Sequence, residues 1–139
     1  MSDPLSATAR IAWSGISAQS SRMKIAAENM ANAESTGKTP GSDPYRRKTI
    51  SFESAIDEAT GAELVSANNV GADPSPFRSE FRPGHPAADE KGIVKLPNVN
   101  VLVEMADMRE ATRSYTANAQ IIKQVREMTS MTIDILRGS

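Results

Sequence analysis

The sequence has one histidine, His85, and it stands in a loop reading Gly84-His85-Pro86. A catalytic histidine needs a nucleophile or an orienting carboxylate arranged around it. No motif supplies one, so His85 reads as a solvated or locally bonded loop residue. The carboxylate pairs Asp57/Glu58 and Asp89/Glu90 are adjacent in sequence. Adjacent residues on a helix diverge, so they read as surface charge rather than an acid/base pair closing on one bond. Arg46-Arg47-Lys48 is the one basic cluster, suited to a local contact with an acidic group. Three Phe, two Tyr and one Trp, dispersed along the chain, make no stacking platform for nucleic acid. There is no cysteine. With a single histidine, that removes a structural zinc site, an iron–sulfur cluster, a Cys–His dyad and a disulfide framework. Phosphate-cradling glycine loops, nucleophile elbows and dinucleotide fingerprints are absent as well. The expectation is a protein with no catalytic, cofactor-binding or metal-binding residues, no small-molecule substrate and no enzymatic activity.

Charge and hydropathy narrow the partners. Sixteen basic residues face 17 acidic ones, a net charge of −1, which gives no overall field for nucleic acid or an anionic membrane. No apolar run reaches the roughly 18–20 residues that span a bilayer, so no membrane insertion is expected. The opening Met1-Ser2-Asp3-Pro4-Leu5 lacks the basic patch and apolar stretch of a cleaved secretory signal. Export, if it occurs, is expected by a route that does not read one.

The elements that must carry any function lie at the two chain ends. Leu, Ile, Val and Phe supply only 25 of 139 residues, while there are 19 Ala and 7 Met. That mixture suits long, closely packed helices better than one thick core. Helix breakers concentrate in residues 35–97, with seven of eight prolines, six of eight glycines and no methionine.

The N-terminal part opens on Ser2, Asp3 and Pro4, a cap followed by a first-turn proline. Its seam then runs Ala9, Ala12, Ile16, Gln19, Met23, Ala26, Met30, Ala33, alternating by three and four as in a coiled coil. Gly15 costs about 1 kcal/mol in a helix interior, which predicts the close approach of a neighbouring backbone. After Pro97, Asn98 or Asn100 caps a second helix running to about Leu136, with Gly138 just past its end. Its seam reads Met108, Ala111, Tyr115, Asn118, Ile122, Val125, Thr129, Thr132, Leu136, flanked by Ile121, Met128 and Ile135. Between the helices, residues 47–52, 64–65 and 92–96 have strand character. Residues 52–59 suit either strand or a helical turn or two, and Asp73-Pro-Ser-Pro and Arg82-Pro-Gly-His-Pro read as loops.

The fold class expected is therefore mainly α with a small β-containing insertion. Residues 1–34 and 98–139 form an antiparallel coiled-coil-like hairpin, and 35–97 a small mixed or β domain. Each helix has more apolar face than one partner covers. Left exposed on a monomer, such a face invites association. The expectation is loosely ordered ends that fold on assembly, through head-to-tail contacts that give filaments or tubes.

Specific stretches resemble the flagellar axial family of rod and hook subunits. They are Ser14-Gly-Ile-Ser-Ala-Gln19 continuing through Glu28-Asn-Met-Ala-Asn-Ala33, and Glu104-Met105, Asp107-Met108 and Arg113-Ser-Tyr115 with Asn118. Asp43-Pro-Tyr-Arg-Arg-Lys48 with Ser51-Phe52, and Lys91-Gly-Ile-Val-Lys-Leu-Pro97-Asn-Val-Asn100, are similar to the proximal-rod branch. The short middle argues against hook and distal-rod subunits, and the ending Leu136-Arg-Gly-Ser is not the branch's most usual one.

The resemblance implies a structural subunit of the basal-body rod, in the periplasm, transmitting torque from motor to hook. It implies export by the flagellar type III apparatus without a cleaved signal peptide. Its partners would be further copies and other proximal and distal rod proteins. The residues expected to meet them are Ile16, Met23, Asn29, Met30 and Asn32 on the first helix. On the second they are Met105, Met108, Tyr115, Asn118, Ile121, Ile122, Val125, Met128 and Leu136. The alternative from another class is a soluble helical binding module, such as a flagellar export adaptor or chaperone.

Overall fold

The computed structural model describes residues 3–138, and the expected contribution of Ser2 to the first cap lies outside them. The element order is α1 (Pro4–Ala31), β1 (Lys48–Ile56), β2 (Glu63–Ala72), β3 (Arg78–Phe81), β4 (Ile93–Leu96) and α2 (Val101–Arg137). The fold is mainly α, about half helical, with a small antiparallel β region between two long helices.

Both helices begin where the sequence signals it. Asp3 Oδ1 accepts the Leu5 amide at 3.2 Å, and Pro4 occupies the first turn, where its missing N–H costs nothing. At α2 the choice falls on Asn100, whose Oδ1 accepts the Leu102 amide at 3.1 Å. Asn98 instead accepts the Arg47 amide and donates to the Asp73 and Ser75 carbonyls.

The chain forms two compact units. The first joins Met1–Met23, Ser51–Asn69 and Arg109–Ser139. Here α1 and α2 run antiparallel: Arg22 pairs with Glu110 at 3.3 Å, Thr112 lies 3.4 Å from the Met23 sulfur, and Gly15 faces Asn118. The buried positions are Ala12, Ala18, Ala111 and Ile122, a thin seam of small side chains. The β1–β2 hairpin closes through Asp57 to Ala62 (2.8 Å), with Gly61 at φ +68°, a left-handed conformation glycine adopts freely. Asp57 also accepts from the Thr60 hydroxyl and from Arg10.

The second unit joins Lys24–Ile50 and Val70–Met108. β3 pairs antiparallel with β4, Arg78 opposite Leu96 and Phe81 opposite Ile93. Val94, Leu96 and Val99 are buried with Ala26, Ala33 and Ala87.

Three expectations change. Residues 52–56 continue β1 and form no helical turn. β3 was not foreseen, because Arg78-Ser-Glu-Phe81 carries no apolar alternation and is a strand through its pairing with β4. The close neighbour of Gly15 is a side chain, that of Asn118, and not a backbone.

Candidate assembly surface

The second half of α2 is covered on one side only near its middle. Ile122 is 7% exposed and Val125 half-buried, but every described residue after Val125 is exposed. Met128, Met131, Ile133, Ile135 and Leu136 stand open to solvent in the single chain, Ile135 and Leu136 more than 70% so. Thr129, Thr132 and Leu136, expected in the seam against α1, are exposed in the single chain. Fully covering a side chain of this size stabilises by about 1.5–3 kcal/mol, so the strip favours burial against another surface.

The expected contact residues separate by position. Met105, Tyr115, Ile121, Met128 and Leu136 are exposed on α2. Ile16, Met23, Met30, Asn32, Met108, Asn118 and Val125 are half-buried, and Asn32 is partly spent on the Glu28 carbonyl at 2.8 Å. Ile122 and Asn29 are buried within their own chain. Further exposed apolar residues escaped the seam pattern: Ile11 and Trp13 on α1, and Val101, Leu102 and Val103 in the first turn of α2.

Asn29 is 0% exposed and uses its whole hydrogen-bonding capacity inside the chain. Its Nδ2 donates to the Lys48 carbonyl at 2.9 Å and to Glu104 Oε2 at 3.0 Å. Its Oδ1 accepts from Tyr45 Oη at 2.8 Å and from the Lys48 amide at 2.9 Å. Glu104, 1% exposed, takes Arg47 Nε on its other oxygen at 2.6 Å. Arg47 also reaches Asp73 at 3.3 Å. Burial opposes the Arg47 charge, but Glu104 and Asp73 more than offset this and hold it above its ordinary value. Burial pushes the Tyr45 phenol up, which keeps its proton for Asn29. A buried carboxylate is tolerated only when paired and fully bonded in this way. Nearby, Lys48 pairs with Glu28 at 2.7 Å, which holds the Glu28 carboxyl below its ordinary 4.5.

The polar chemistry of this unit is thus turned inward. His85 Nδ1 accepts the Ala87 amide at 3.1 Å, a local loop bond. Among the described residues no cluster of three His, Cys, Asp or Glu is arranged to hold a metal, and no helix is long and apolar enough to cross a membrane.

A chain with two long terminal helices, a β insertion and an uncovered apolar strip has the form of an axial subunit. In agreement, residues 90–135 match the family described as "Flagellar basal body rod FlgEFG protein C-terminal". The whole chain has named relatives. Flagellar basal-body rod protein FlgC of Agrobacterium fabrum is 57% identical over 137 residues, covering 99% of each chain. FlgC of Salmonella typhimurium is 41% identical over 128 residues, covering 90% of this chain and 92% of the relative. FlgC of Borreliella burgdorferi is 34% identical, covering 92% and 95%. This chain belongs to the FlgC family of flagellar basal-body rod proteins.

Proposed function

We propose that this protein is a structural subunit of the flagellar basal-body rod and joins its neighbours through the exposed apolar side chains of its terminal helices. The observation that carries this reading is the uncovered strip from Met128 to Leu136 on α2. Met105, Tyr115, Ile121, Met128 and Leu136 supply contacts, and residues packed inside the chain, such as Ile122, hold the helix that presents them. The partners are further copies and the other rod proteins, proximal and distal.

The finer reading is a periplasmic drive shaft carrying torque from motor to hook, built by type III export without a cleaved signal peptide. The middle segment, residues 35–97, forms the outer part of the subunit, and the terminal helices the inner. Transmitting torque needs interlocked helices and no active site, so the subunit is not an enzyme. No observation favours an adaptor or chaperone over this reading.

The test is genetic and structural together. Met128→Glu with Ile135→Glu leaves the free chain folded, because both sites are exposed. It prevents the variant from entering isolated basal bodies. Normal incorporation and swimming would contradict the proposal.

A further inference from the structure

The seam of α1 is nearly self-similar. Ala12, Gln19, Ala26 and Ala33 recur every seven residues, as do Ala9, Ile16, Met23 and Met30. α2 repeats likewise, with Met108, Tyr115 and Ile122 in one row and Ala111, Asn118 and Val125 in the other. Sliding one such helix along the other by seven residues, about 10.5 Å, keeps the repeating rows facing each other, although it sets Thr8 or Arg22 in the place of Gly15 opposite Asn118. Outside that one contact the repeating rows discriminate weakly between registers, and a buried polar group is a device that removes such degeneracy.

One position in the repeat departs from it. Glu104 precedes Ala111 by seven and so holds a place in the α2 seam, yet it is a buried carboxylate. Its partner Asn29 lies 75 residues earlier in the chain, on α1. We infer that the Asn29–Glu104 pair is a register pin, which sets the axial position of α1 against α2 in this unit and, through Arg47 and Lys48, the point where β1 departs. A slip of one repeat separates Glu104 from both Asn29 and Arg47. It strands a buried charge, against which the gain from apolar contacts is small. Such a pin contributes uniqueness rather than net stability, since apolar replacement of a buried polar pair is often neutral or stabilising.

The experiment uses the full chain, in which introduced cysteines are the only ones. Nitroxide labels on Lys24→Cys and Val103→Cys, exposed positions on α1 and α2, report the register by pulsed electron paramagnetic resonance. With the native pair, one narrow distance is expected. Asn29→Leu with Glu104→Leu should keep the helical circular dichroism signal and add a second population, displaced by about 10 Å along the axis. Glu104→Gln keeps one acceptor oxygen, for either Asn29 or Arg47, and turns a donor NH2 to the other; the one bond that remains should still keep one distance. A single distance in the apolar double variant would overturn the inference, as would a second population in Glu104→Gln. Loss of the helical signal in the double variant would also overturn it, since a pin governs register and not the existence of the helix pair.

Discussion

Gly15 stands so close to Asn118 that a β-carbon on it would lie 2.7 Å from the Asn118 Nδ2. That nitrogen is itself committed, donating to the Ser114 carbonyl at 3.1 Å. The two residues meet at a point where a side chain on residue 15 must displace the Asn118 carboxamide.

Gly15→Ala should therefore show two opposed effects. Alanine favours the helix by about 1 kcal/mol, while moving the Asn118 carboxamide gives up a hydrogen bond of about 0.5–1.5 kcal/mol and its packing. In the native background the two roughly cancel. In an Asn118→Ala background the alanine should stabilise by about 1 kcal/mol in urea unfolding. The same gain in both backgrounds would show that the close approach is unimportant.

Ile122 and Tyr115 are distinguished by burial. Ile122→Asp places an unpaired charge at a site only 7% exposed and should lower the stability of the free chain by roughly 3 kcal/mol or more. Tyr115 is 37% exposed, so Tyr115→Asp should shift free-chain stability by about 1 kcal/mol or less. Both variants should fail in assembly and swimming, the first through its own fold and the second through a neighbour. Equal urea midpoints for the two would contradict the assignment.

Acid should weaken the fold from a definite point. Glu28 is held down by its hydrogen bond to Lys48, Asp43 by Lys95, Asp57 by the Thr60 hydroxyl and then Arg10, and Asp73 by Ser75 and then Arg47. A carboxyl depressed in the folded state contributes fully above its ordinary value, here 3.8 for Asp and 4.5 for Glu. The contribution is lost as pH falls through the lower folded value. Lys48 is raised by Glu28, so its share persists below the ordinary 10.5 and is lost only as pH climbs through the raised value. From these groups the urea midpoint should be level between pH 6 and 7 and fall below about pH 4.5. Glu28→Gln with Asp57→Asn should flatten that fall, and an unchanged slope would contradict it.

His85→Ala should leave swimming speed and basal-body yield unchanged, since the ring closes only a local loop bond. Lost motility with a normally folded chain would reopen the search for chemistry around that loop.

Much of the helical frame was legible because its signals are local. Asp3 with Pro4, Asn100 and Gly138 mark helix ends within a turn of themselves, and the three–four spacing from Met108 to Val125 follows from the pitch of one helix. The node around Glu104 was not legible in the same way. Its Arg47 arrives from the segment just before β1, 57 residues earlier, and no periodicity carries that pairing. Asn29 was expected among the contact residues for a related reason. Its position on α1 is clear from sequence, but only tertiary structure shows that Tyr45, Lys48 and Glu104 use every hydrogen bond it can make. The seam beyond Val125 failed differently. Its apolar pattern is sound, but the pattern cannot say whether the covering surface belongs to the same chain, and among the described residues none buries it.

That last point is tested most directly by cysteine accessibility at Met128, Met131, Ile135 and Leu136, each replaced singly in a chain with no native cysteine. Thiol alkylation should be fast at all four in the free subunit. In isolated basal bodies it should fall by at least about tenfold at most of them, as the strip is covered by neighbouring subunits. Equal reactivity in the free and assembled protein would contradict the claim that the terminal helix completes its packing in the rod.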